Sequence, residues 1–185
     1  MYSPDDDTHL LLDVVDVDEG EDVLEIGCGT GIISLHCAKQ GANVTAVDLN
    51  EEAVRLTKLN AELNDITLTD VRWSDMFLNI EGLWDVILFN PPYLPAIKGE
   101  PLDPRWDGGE LGDETVVRFL EEAFSRLRPG GRVYFCCSDR APLTRIFNTV
   151  EMGYVMVEQR EKTFDFETIY AFSLVAANTP QTGLF

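Results

Sequence analysis

DVLEIGCGTG, Asp22 to Gly31, passes from a short apolar run directly into three glycines at alternate positions. A run of that length reads as a strand, and glycine lets the backbone after it turn tightly and touch a ligand. The dinucleotide fingerprint G-x-G-x-x-G carries its third glycine inside the following helix. Here the spacing is G-x-G-x-G, and Glu25 precedes Gly27 by two positions. An uncompensated carboxylate beside two phosphates is repulsive, so the turn suits a ligand with a positive amino or sulfonium group better than a pyrophosphate. Asp48 ends the next apolar run, about twenty residues further on, where an acidic side chain accepts the hydroxyls of a ribose. Together the glycines, Glu25 and Asp48 point to an adenosyl cofactor.

Outward from this turn, short apolar runs alternate with helix-period stretches, which predicts an α/β sheet. THLLLDVVDV, Thr8 to Val17, opens on cap-type Asp7 and Thr8 and reads as an N-terminal helix. After the strand Asp22 to Gly27 come the helix IISLHCAKQG, ending at Gly41, and the strand NVTAVDL, Asn43 to Leu49. Asn50 starts a helix through EEAVRLTKLNAEL, with acids in its first turn where the helix dipole favours them. ITLTDVRW, Ile66 to Trp73, is a third strand and WDVILFN, Trp84 to Asn90, a fourth; Leu94 to Leu111 is rich in Pro and Gly and reads as loop. DETVVRFLEEAFSRLRPGG is an amphipathic helix stopped by Pro-Gly-Gly, followed by the strand RVYFCCS. PLTRIFNTVEMG is a last helix, and YVMVEQREKTF with TIYAFSLVA reads as a terminal antiparallel pair. Right-handed crossovers turn this order into a doubly wound, Rossmann-like sheet, mostly parallel with a C-terminal antiparallel hairpin. Its ligand is expected beyond the carboxyl ends of the strands, at a switch point. One domain over residues 1–178 and a short tail over 179–185 are expected.

A composition of 45% hydrophobic and 25% charged residues is that of a folded globular chain. The 33 acidic residues against 14 basic ones give a formal net charge of -19, and four of the basic residues are lysines. Two explanations compete: repulsion from nucleic acid, and a high-salt cytoplasm in which dense carboxylates and few lysines keep a protein soluble. The acids are spread along the chain instead of forming one tail, which favours the second. The N-terminus runs straight into three aspartates and shows no secretory signal, and no apolar run has the length of a membrane span, so a cytoplasmic location is expected. Cys28, Cys37, Cys136 and Cys137 show no metal-ligand spacing and read as small buried hydrophobes, so no metal site is expected.

FNPPYLP, Phe89 to Pro95, follows the fourth strand with an amide, two prolines and a ring. Ordinary turns use Gly, Asp and Ser, whereas Asn90-Pro91-Pro92-Tyr93 fixes two φ angles near about -65°. Asn90 can accept one N–H of a planar amine or amide through its side-chain oxygen, the Pro91 carbonyl can accept the other, and the Tyr93 ring can stack on the flat group. An amide nitrogen is a poor nucleophile, so catalysis needs acceptors that hold both protons and favour a pyramidal nitrogen. No Ser-His-Asp set competes, because His9 and His36 are the only histidines and both fall in helix-like runs. In WSDMF, Asp75 reads either as an acceptor for an adenine amino group or as a turn former, and Met76 offers an apolar contact to the ring.

With these motifs in hand, the chain resembles the class I S-adenosylmethionine-dependent methyltransferases, and more closely the HemK-like protein-glutamine methyltransferases. LEIGCGTG resembles their cofactor loop, VDLN their ribose-binding acid and NPPY their substrate-amide motif. YSPDDDTHLLLD, from Tyr2, resembles the opening of the short archaeal and eukaryotic branch. The resemblance implies S-adenosyl-L-methionine as cofactor, held by Thr8, Glu25, Gly27, Cys28, Gly29, Gly31, Asp48, Leu49, Asp75, Met76 and Asn90. It implies Asn90, Pro91, Pro92 and Tyr93 as the catalytic platform. The implied substrate is the glutamine of the Gly-Gly-Gln motif in the class I translation termination factor. WDGGELG, Trp106 to Gly112, resembles a glycine-bearing loop after the amide motif, which could close over the peptide. Members of this branch work with a small zinc-binding activator subunit, which implies a heterodimer with the activator on the edge strand Ile66 to Val71 and a chain that is poorly soluble or inactive alone.

Two other functions remain open from the residues. N-P-P-Y presents the same acceptors to an amino group of adenine or guanine, but base-flipping enzymes need a basic channel, and no basic stripe is visible, so no direct nucleic-acid binding is expected. A non-catalytic scaffold is the other, and the intact loop, acid and platform argue against it.

Overall fold

The computed structural model describes residues 4–101, 103 and 106–177. The expected tail and the first residues of the opening motif, Tyr2 and Ser3, lie outside the described residues. The elements in chain order are α1 (Asp6–Leu12), β1 (Asp22–Ile26), α2 (Ile32–Lys39), β2 (Asn43–Asp48), α3 (Glu51–Leu63), β3 (Asp70–Trp73), β4 (Trp84–Phe89), α4 (Glu114–Phe124), β5 (Leu127–Ser138), α5 (Leu143–Gly153), β6 (Tyr154–Thr163) and β7 (Thr168–Ala176). Seven strands form one sheet in the order β3-β2-β1-β4-β5-β7-β6. The pairs from β3 to β5 are parallel, and β7 inserts antiparallel between β5 and β6. The expected doubly wound sheet with a C-terminal antiparallel hairpin is therefore present.

The continuous apolar runs of the central strands follow from burial on both faces. Val23, Val86, Leu88, Tyr134 and Cys136 point to a layer containing Leu10 and Leu11 of α1 and Ile33 and Cys37 of α2. Their neighbours Leu24, Ile26, Ile87, Phe89, Val133 and Phe135 point the other way, onto Phe119 and Leu120 of α4 and Ile146 and Val150 of α5. All four cysteines are buried and unpaired, as read from the sequence. Among the described residues no cluster of metal-ligating side chains occurs, and no helix is long and apolar enough to cross a membrane.

Three sequence readings need correction. The first helix ends at Leu12, and its cap is Asp5, extended at φ -134°, whose carboxylate accepts the Asp6 N–H at 2.8 Å; Asp7 and Thr8 lie inside the first turn. Val14, Val15 and Val17 prolong the apolar pattern because they are buried in the irregular segment beyond it. The third strand starts at Asp70, not Ile66. Its expected first half is used by the end of α3, where Asp65 takes φ 54°, Asp65 N–H reaches Glu62 O at 3.2 Å and Ile66 N–H reaches Ala61 O at 3.0 Å. Those two bonds are a Schellman motif. Finally, Pro129-Gly130-Gly131 lies within β5 and does not stop α4, which ends at Phe124. β5 pairs Leu127 with Trp84 and then Arg132 with Val86, so Pro-Gly-Gly forms an irregularity inside the ladder.

Candidate active site

Strand register builds the site. Ile26 stands opposite Val47 on one side and Phe89 on the other, so the next residues, Gly27, Asp48 and Asn90, emerge side by side at the carboxyl ends of three adjacent strands. From β1 the chain winds outward to β2, and from β4 it winds the opposite way to β5, which makes this the switch point of the sheet. A cleft of about 710 Å³ opens there, lined by all the expected site residues except Gly31.

All three loop glycines have left-handed φ, +66° at Gly27, +54° at Gly29 and +82° at Gly31. A Cβ on Gly27 would lie 2.8 Å from the Phe89 ring, and one on Gly31 would lie 2.8 Å from Thr57 Cγ2. On Gly29 it would meet nothing closer than Gly27 O at 4.0 Å, so this residue keeps open space next to the backbone. Gly27 and Gly31 are thus required by packing, and Gly29 by its backbone angle. The buried Cys28 sulfur accepts the Thr57 hydroxyl at 3.3 Å, and the residue lines the cleft.

Asp48 accepts the Gly29 N–H at 2.9 Å and the Asn50 N–H at 2.8 Å, which fixes both carboxylate oxygens at the loop. Burial raises its carboxyl above the ordinary range, and these bonds lower it in part. Glu25 is 2% exposed and accepts both the Ser34 N–H, at 2.8 Å, and the Ser34 hydroxyl. Gly31 caps α2 without a side chain, so the strand acid satisfies a donor that the helix start would otherwise leave unpaired. Burial pushes the Glu25 carboxyl up to about 8 against the bonds from Ser34. A cation placed beside it would restore the charged form. Ser34 was not singled out in the sequence; a hydroxyl in the first turn after the glycine loop is the signal for it.

Asp75 pairs with Arg118 of α4 at 3.1 Å, and Met76 follows it at φ 49°, buried. Leu49 is half exposed at the rim. On the opposite wall Asn90 donates through Nδ2 to Asp7 Oδ2 at 3.2 Å and to Thr8 Oγ1 at 3.3 Å, and the Tyr93 hydroxyl donates to Asp7 Oδ2 at 3.2 Å. Asn90 Oδ1 is buried without a hydrogen-bond partner. Pro91, Pro92 and Tyr93 line the cleft beside it. Thr8 therefore meets the platform as well as the cleft, and Asp7, read as a helix cap, belongs to the site.

Trp106 to Gly112 is not a free flap. Leu94 N–H bonds to Trp106 O and Gly108 N–H to Leu94 O, both at 2.9 Å, and Ala96 N–H bonds to Gly109 O at 3.0 Å. A Cβ on Gly108 would lie 2.7 Å from Pro92 O, and one on Gly112 would lie 2.7 Å from Tyr93 O. The segment backs the platform while Trp106 and Asp107 reach the cleft, and Phe164 and Glu167 from the β6–β7 turn close its far side.

A switch-point cleft that joins a glycine loop, two strand-end acids and an N-P-P-Y turn defines a class I methyltransferase. The chain belongs to the methyltransferase small domain family, which matches residues 2–167. It is an S-adenosylmethionine-dependent enzyme. A provisionally named protein N5-glutamine methyltransferase of Methanocaldococcus jannaschii is 48% identical over 139 residues, 72% of this chain and 70% of that protein. A release factor glutamine methyltransferase of Deinococcus radiodurans is 35% identical over 133 residues, 66% of this chain but 48% of that longer protein. Among solved structures, the E. cuniculi Mtq2-Trm112 complex that methylates the eRF1 termination factor superposes with a TM-score of 0.68 at 26% identity, covering 95% of this chain and 98% of that one. The HemK-like resemblance is borne out by these relatives. The site fits the cofactor: Gly29 leaves open space at the loop, Asp48 is held at its edge, and Glu25 is a buried carboxylate that a cationic group would stabilise.

Proposed function

We propose that this enzyme, as one domain, methylates the side-chain amide nitrogen of the glutamine in the Gly-Gly-Gln motif of the class I translation termination factor. The observation that carries this is Asn90 Oδ1, a buried acceptor without a protein partner on the wall of the cofactor cleft. S-adenosylmethionine, when bound, would supply an electrophilic methyl group on its sulfonium sulfur, the thioether being the leaving group, and the methylated nitrogen would lose one proton to water. Asn90 Oδ1 and the Pro91 carbonyl accept hydrogen bonds from the two amide N–H groups, which draws the lone pair out of conjugation and stabilises the charge that develops on nitrogen. Pro92 holds the bend and the Tyr93 ring covers the flat group. Asp48 takes the ribose, Asp75 and Met76 the adenine, Glu25 the amino group, and Thr8, Gly27, Cys28, Gly29, Gly31 and Leu49 complete the pocket.

An amide substrate is favoured over a nucleobase by charge. Among the described residues lining the cleft, Arg118 is the single cation and it is paired with Asp75, whereas eight of them are Asp or Glu. A phosphate backbone has no counter-charge there. A small zinc-binding activator is proposed on the free edge of β3, where Leu63 of α3, Trp73 and Leu78 are 71%, 44% and 51% exposed. A cytoplasmic location follows from the substrate. The test is mass spectrometry of termination factor incubated with labelled cofactor, enzyme and activator. One methyl on the Gly-Gly-Gln glutamine is expected, with Asn90→Ala lowering turnover by about a hundredfold or more while cofactor affinity stays nearly constant. Methylated nucleic acid with an unmodified factor would overturn the reading.

A further inference from the structure

Asp7 lies in the first turn of α1, 4% exposed, and among the described residues it accepts from Thr8, through both its N–H and its hydroxyl, and from Asn90 and Tyr93. Oδ1 accepts the Thr8 N–H at 2.5 Å, and Oδ2 accepts both Asn90 Nδ2 and the Tyr93 hydroxyl at 3.2 Å. A carboxylate has no donor to offer, so a carboxamide facing it adopts one of its two orientations: nitrogen toward Asp7, oxygen away. That orientation makes Oδ1 the unpartnered acceptor. With an amide in place of Asp7, either end of Asn90 finds a partner, and half of the orientations present N–H groups to a substrate that needs acceptors.

We infer that Asp7 is the positioning residue of the substrate platform: it selects the acceptor orientation of Asn90 and ties Tyr93 to the same carboxylate oxygen. This rests on the amide reading of the cleft. Hydrogen bonds in a chain polarise one another, so the pull of Asp7 on Nδ2 also strengthens Oδ1 as an acceptor. Asp7 acts through Asn90 and Tyr93, the residues proposed to hold the amide, so the effect falls on turnover.

The test compares Asp7→Asn with the unaltered enzyme, each with its activator. The side-chain amide signals of Asn90, assigned by their absence in Asn90→Ala, are expected to show slow proton exchange and a through-space contact to the Thr8 methyl in the unaltered protein, and to lose both in Asp7→Asn. Turnover of the termination factor is expected to fall by about tenfold to a hundredfold, with cofactor affinity by calorimetry within about threefold, and Asp7→Asn is expected to add nothing in the Asn90→Ala background. An Asn90 amide that makes no contact to Thr8 in the unaltered protein overturns the inference, and this measurement does not depend on the variant folding. So does a loss of turnover that multiplies in full with Asn90→Ala or is matched by an equal loss of cofactor affinity. If the amide signals behave as expected but the enzyme leaves the termination factor unmodified, the substrate reading fails and the positioning of Asn90 stands.

Discussion

Glu25 shows how one buried group ties stability and cofactor capture to pH. Its carboxyl titrates near 8 in the folded chain against an ordinary 4.5, with desolvation as the main cause. Between those values the folded chain holds a proton that the unfolded chain has released, so this group's contribution is complete below the lower value and declines as pH rises through the upper one. The melting temperature of the cofactor-free enzyme should therefore drop between pH 5 and pH 8, and Glu25→Gln, which stays neutral, should flatten that slope; equal slopes in both proteins would refute it. An ammonium group beside Glu25 favours the ionised form, so cofactor binding at neutral pH should expel a proton, seen as an apparent enthalpy that differs between buffers of different ionisation heat. The glycines separate two other costs. Gly27→Ala forces a Cβ onto a ring already packed against Phe119 at 5.1 Å, as well as an unfavourable φ, and should cost roughly 2–4 kcal/mol. Gly29→Ala meets open space and should cost about 1–2 kcal/mol, yet it intrudes on the cofactor. Chemical denaturation together with binding calorimetry distinguishes the two.

Elements carry the partner question. β3 is a four-residue edge strand with Leu63, Trp73 and Leu78 exposed around it. Combining Leu63→Asp with Leu78→Asp should weaken activator binding by at least about tenfold while leaving cofactor affinity unchanged; unchanged co-purification with the activator would place that partner elsewhere. The same strand marks a limit of sequence reading. The central strands were legible because burial on both faces leaves an uninterrupted apolar run, and their register then placed Gly27, Asp48 and Asn90 together without further information. ITLT looked like a strand because its apolar residues alternate, but Ile66 N–H was already committed to the α3 terminus. Pro-Gly-Gly looked like a helix stop because local chemistry does not reveal that Leu127 pairs with Trp84 across the sheet. Asp7 went unread as a site residue for the same reason: its partners Asn90 and Tyr93 are more than eighty positions away in the chain. Glu25 and Asp48 were legible because one stands two positions before the glycine loop and the other ends the next strand, a pattern of fixed spacing.

At the scale of the molecule the net charge of -19 is a source of self-repulsion that added salt should screen. Several arginines already bridge acids across elements, as Arg128 does between Asp22 and Asp85 and Arg132 with Glu21, but 33 carboxylates cannot be matched by 14 cations. Raising KCl from about 0.1 M to about 2 M shortens the screening length from about 10 Å to a few Å and should raise the melting temperature by roughly 10 °C; a melting temperature that ignores salt would rule out repulsion as the limiting term and with it the high-salt habitat. The placement of β7 between β5 and β6 has a consequence for biosynthesis. Until residues 168–176 have left the ribosome, β5 stands with one flank bare, and the wall carrying Phe164 and Glu167 has not been assembled. A nascent chain that has reached only α5 thus owns the glycine loop and the N-P-P-Y bend but no closed pocket, so ligand capture waits until β7 has been made and inserted.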